Sequence, residues 1–86
     1  MTPDEDKKLI RILTARDATL TKVELRNSQI LDVWNIAWGY DMSDDFAHVT
    51  TNISPEQDGY SIEFFFTTDV VKVVDPAKSV VLISFL

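Results

Sequence analysis

The hydrophobic period of this chain changes once, and that change constrains the fold more than any single motif does. Leu9, Ile10, Ile12 and Leu13 recur at helical spacing, with Lys7, Lys8 and Arg11 mainly on the other side. From Thr19 onward the helical period is gone and β-formers take over. Val23 and Leu25 alternate with Lys22, Glu24 and Arg26, the period-2 pattern of a half-buried strand, and Asn27-Ser28 supplies a tight turn. A mainly β domain behind one short helix follows.

The helix has a clear start. Thr2 is a capping residue, Pro3 suits the first helical position, and Glu5 can return a bond to the Thr2 amide. Asp4, Glu5 and Asp6 also favour the positive end of the helix dipole. This predicts a helix over about 3–15, packed on a sheet. Strands are expected near 19–26, 29–38, 46–53 and 60–67, then at 70–74, closed by Asp75-Pro76, with an additional strand at 79–86. The second strand carries Ile30, Leu31, Val33, Trp34, Ile36 and Trp38, apolar on both faces, so it is expected to bend or to be covered on both sides. Trp34 and Trp38, four apart on one strand, are expected on the same face as core or interface residues. Ser54-Pro55-Glu56-Gln57-Asp58-Gly59 is built from turn formers. The whole chain, 1–86, reads as one domain.

Composition narrows the function classes. There is no cysteine, so neither a disulfide scaffold nor a thiolate zinc site can form. His48 is the only histidine and no serine sits in a nucleophile-elbow setting, which argues against triad chemistry. Asp41, Ser43, Asp44 and Asp45 lack the glycine and terminal glutamate of a calcium loop and read as a solvated acidic loop. No Gly-rich phosphate loop occurs. The expectation is a protein that is not an enzyme, with no cofactor and no metal. No signal-peptide core and no membrane-length apolar run is present, so a cytoplasmic protein without a membrane partner is expected.

Charge points two ways. The net charge of −6 opposes non-specific nucleic-acid binding. Six of the eight basic residues nevertheless lie in the first 26 positions, at Lys7, Lys8, Arg11, Arg16, Lys22 and Arg26, whereas 41–75 is mostly acidic. A locally basic face on an acidic particle would favour RNA; a rim of Asp41, Asp44 and Asp45 would favour a basic protein partner.

Val23-x-Leu25-x-Asn27, the long second strand, then Asp41-Met42-Ser43 before another apolar strand resembles the first motif of the Sm, LSm and Hfq family of ring-forming RNA-binding barrels. The break Phe66-Thr67-Thr68-Asp69 followed by valines is similar to the family's second motif, although Phe66 and Thr67 stand where the family has Arg-Gly. The resemblance covers about 19–74. It implies a short N-terminal helix followed by a strongly bent five-stranded antiparallel Sm-like (SH3-like) barrel, over about 19–86. It also implies a homo-oligomeric ring and single-stranded RNA binding or RNA-protein scaffolding. Met42 falls on the family's Met and Ser43 on its Asn. Asp41 falls on the base-stacking place, which a one-residue slip would give to Tyr40. The implied RNA site is therefore Tyr40, Asp41, Met42, Ser43 and Asp69.

The strands at 64–66, 70–74 and 80–86 lack the lysines and prolines that usually blunt exposed edges, so they should be paired. The expected subunit interface is Phe64, Phe65, Phe66, Val70, Val71, Val73, Val81 and Ile83. An acidic protein-binding adaptor, or an inhibitor that mimics nucleic acid, is the alternative function.

Overall fold

The computed structural model describes residues 1–86. Helix α1, Pro3–Ala15, begins as its sequence dictates: the Glu5 amide donates to Thr2 Oγ1 at 3.2 Å, and the Thr2 amide donates to Glu5 Oε1 at 2.7 Å. Seven strands follow: β1 (Thr21–Leu25), β2 (Ile30–Val33), β3 (Ile36–Gly39), β4 (His48–Thr51), β5 (Phe64–Phe66), β6 (Val70–Asp75) and β7 (Val80–Ser84). They form two antiparallel sheets, one ordered β2-β1-β6-β7 and the other β3-β4-β5. The mainly β fold with an N-terminal helix is as expected. The five-stranded closed barrel is corrected: there are seven strands in two separate sheets.

The long second strand is two strands because two buried asparagines replace the ladder between them. Asn35 accepts from the amides of Ile53 (3.0 Å) and Ser54 (3.2 Å) and donates to the Pro55 carbonyl at 2.8 Å. Asn52, at φ 61°, accepts from the Trp34 amide and donates to the Asp32 and Ser61 carbonyls, each at 2.8 Å. A positive φ suits Asn better than most residues with a Cβ. The chain thus leaves one sheet at Val33 and enters the other at Ile36 with the Trp34 amide and both asparagine side chains partnered, while the buried Trp34 indole N–H has no hydrogen-bond partner. This break also separates the two tryptophans. Trp34 meets Tyr60 edge-on at 5.5 Å between ring centroids, and Trp38 meets Tyr40 edge-on at 5.9 Å, so they do not share the one strand face expected of them.

One core joins all the layers. Leu9, Ile10 and Leu13 of α1 pack with Val23, Leu25, Leu31, Val33, Val70 and Val73 of the first sheet and with Ala47, Val49 and Phe65 around the second. Asp6, also on the buried side of α1, ties the helix to the three-stranded sheet. Its carboxylate accepts from the Ala47 amide at 2.9 Å, from Thr67 Oγ1 at 2.5 Å and from the Tyr40 hydroxyl. At the other end of the helix, Arg16 donates to Thr21 Oγ1 (2.6 Å) and the Leu20 carbonyl (3.0 Å), and its guanidinium lies 3.4 Å from Asp75. No helix is long and apolar enough to cross a membrane.

Candidate functional site

The helical repeat places Lys7, Arg11 and Thr14 along one flank of α1, beside the buried stripe. Trp38 stands on β3, an edge strand, where it has no cross-strand neighbour on its outer side and can turn toward that flank. Between them lies a groove of about 520 Å³, whose walls are Lys7, Ile10, Arg11, Thr14, Trp38 and Tyr40. Trp38 is 48% exposed, unusual for a tryptophan that a chain this size could have buried.

The groove combines an aromatic platform with unneutralised cations. Ion pairs join Arg16 to Asp75, Lys22 to Asp32 and Lys72 to Glu24; neither Lys7 nor Arg11 is in any ion pair. Tyr40 braces the platform from the side, and its own hydroxyl is fixed by Asp6. That hydrogen bond, with smaller contributions from desolvation and the carboxylate's charge, pushes the Tyr40 pKa from 10.0 up to about 12. Tyr40 is therefore neutral across the physiological range. A planar ring stacked on Trp38 with an anionic group reaching Lys7 and Arg11 is the ligand this arrangement accommodates.

The residues singled out by sequence are not gathered in one place. Tyr40 lines the groove, at the end of β3. Asp41 turns to the other side, with Oδ2 3.8 Å from His48 Nδ1. Met42 is 95% exposed, and Ser43, at φ 72°, forms the tip of the same loop. Asp69 lies beyond the opposite edge of the sheet, in the single 3-10 turn Thr67–Asp69, where it accepts from the Phe66 amide at 3.4 Å. Lys7, Arg11 and Trp38 were not among the expected site residues. The available signal was the i, i+4 spacing of the two cations, but nothing in the sequence says which strand meets that helix flank.

The expected interface residues also divide. Phe65, Val70 and Val73 are buried in the protomer's own core and cannot face a neighbouring subunit while that core stays intact. Val71 and Ile83 are half-buried, and Phe64, Phe66 and Val81 are exposed. The outer edge of β6 is covered by β7 of the same chain, leaving β5 and β7 as open edges. No three His, Cys, Asp or Glu side chains meet in an arrangement that could hold a metal ion. No protein-family model, curated protein or solved structure matches this chain, so the groove must be read from its own chemistry.

Proposed function

We propose that this protein is a non-enzymatic binder of single-stranded RNA, and that the groove between α1 and β3 holds one base and its flanking phosphates. The observation that carries the reading is the meeting of two unpaired cations, Lys7 and Arg11, with the exposed Trp38 ring. Stacking of a base on such a ring contributes roughly 1–3 kcal/mol and tolerates any base. The cations supply the phosphate contacts that the overall charge of −6 would otherwise deny. Kinship with the Sm-like family is part of the same proposal and rests on the two sequence motifs, since the two sheets are not that family's closed barrel. A homo-oligomer belongs to the same reading, with its contact along the open edge of β7, where Val80 and Val81 are exposed, because β6 already has its partner.

Tryptophan fluorescence tests the site. In a Trp34→Phe background, titration with oligouridine should quench the remaining Trp38 emission in a saturable way. Unchanged Trp38 emission, in the presence of RNA binding measured by anisotropy, would place the RNA elsewhere.

A further inference from the structure

The far edge of the same three-stranded sheet has a different character. The pairing of β4 with β5 runs through the Thr51 amide to the Glu63 carbonyl at 2.8 Å and the Thr67 amide to the Ala47 carbonyl at 3.0 Å. Antiparallel pairs alternate, so Phe65 also faces β4, whereas the backbone groups of Phe64 and Phe66 point away from it. The Phe66 amide is taken by Asp69. The Phe66 carbonyl, at the N-cap of the 3-10 turn Thr67–Asp69, accepts the first bond of that turn, so it is the Phe64 N–H and C=O that face an edge no strand covers.

The side chains on this edge are apolar and ringed by acid. Phe64 is 58% and Phe66 40% exposed; their rings meet edge-on at 5.3 Å, and Phe64 stacks on His48 at 5.8 Å. Asp44 and Asp45 line the hollow beside Phe66, and Asp41 lies next to His48. On the reverse side of the edge, Arg26 and Gln29 line a second hollow that reaches Phe64 and Phe65.

We infer that the open edge of β5 takes an extended cationic peptide by strand addition. The backbone of the peptide bonds to the N–H and C=O of Phe64. Its Lys or Arg side chains lie over the two phenyl faces with their charges toward Asp44 and Asp45, an arrangement that combines cation–π contact with ion pairing. Alternate residues fall on the side of Arg26 and must be uncharged, so the preferred sequence alternates a basic with a small polar residue. RNA is disfavoured here, because the carboxylates that attract a cationic peptide repel phosphate. The surface is separate from the groove at β3, from which β4 divides it.

The probe is a fluorescent peptide of four Lys-Thr repeats, with a Glu-Thr peptide as its control. The Lys-Thr peptide should bind the full chain and the Glu-Thr peptide should not. Phe64→Ala should weaken binding about 5- to 10-fold, in line with one lost aromatic contact. Asp44→Asn with Asp45→Asn should weaken it several-fold at low salt and less at high salt. N-methylation of one alternate set of peptide amides should abolish binding while methylation of the other set leaves it. Equal binding of both peptides, or tolerance of methylation in both sets, would overturn the proposal. So would a Phe64→Ala variant that loses RNA affinity while holding the Lys-Thr peptide as tightly as the wild type, which would give the surface to RNA.

Discussion

The Tyr40 hydroxyl donates to the carboxylate of Asp6, which is fully buried on the inner side of α1. This one contact joins the helix to the end of β3 and fixes the ring that braces Trp38. Structure and proposed site therefore share a hinge point, and the consequences can be measured separately.

Asp6→Ala should be strongly destabilising. The substitution leaves the Ala47 amide, the Thr67 hydroxyl and the Tyr40 hydroxyl without their acceptor, two of them in the buried interior. A loss of about 3–5 kcal/mol is expected, a large part of the total stability of a domain this size. Urea denaturation checks it; a loss below about 1 kcal/mol, the ordinary value for one exposed hydrogen bond, would mean the cluster is not formed.

Alkaline pH should weaken the same link. The folded chain holds the Tyr40 proton more tightly than the unfolded chain, with the pKa raised from 10.0 to about 12. The resulting contribution is present in full below pH 10 and disappears as pH rises toward 12. Wild type and Tyr40→Phe, compared by denaturation at neutral and alkaline pH, should therefore converge in stability as this range is crossed. A constant difference between them would show that Tyr40 titrates as it does in the unfolded chain.

Asn52→Ala should cost about 2–4 kcal/mol, because it orphans the Trp34 amide and two carbonyls and places alanine at φ 61°. Asn52→Gly relieves the backbone strain alone and should recover only part of the loss. Equal stability of the alanine and glycine variants would contradict the positive φ.

The contrast between these residues shows what the sequence could reveal. The cap at Thr2, the helix to Ala15 and the position of most strands follow from local chemistry, and all are present. The break at Trp34-Asn35 does not, since Asn35 and Asn52 read as ordinary strand residues until each finds partners far along the chain. Asp6 likewise reads as a dipole partner in the first turn, although its carboxylate points inward to Ala47 and Thr67. The groove was invisible for the same reason: periodicity identifies the flank carrying Lys7 and Arg11 but not the strand opposite it. Val70 and Val73 looked like sticky edge residues because a continuous apolar strand gives no sign of which side a later strand will cover.

Self-association should respond to β7 and not require β6. Val81→Lys, at a residue 53% exposed, should leave the fold intact and reduce the mass measured by light scattering. Val73→Lys, at a residue with no exposure, should unfold the chain. A wild type that is monomeric at micromolar concentration would contradict the homo-oligomer.

The most direct test of RNA binding in the groove is anisotropy of a labelled short oligouridine at about 50 and 200 mM salt, the range over which phosphate contacts lose their strength. Wild type should lose affinity about 7-fold across that range, as two phosphate contacts on a single strand require. Lys7→Gln with Arg11→Gln should bind more weakly at low salt and lose most of that salt dependence. Trp38→Ala should bind about 5- to 150-fold more weakly at both salts, the loss expected of one stacked base. No measurable binding by the wild type at the lower salt, or wild-type affinity in both variants, would contradict the account.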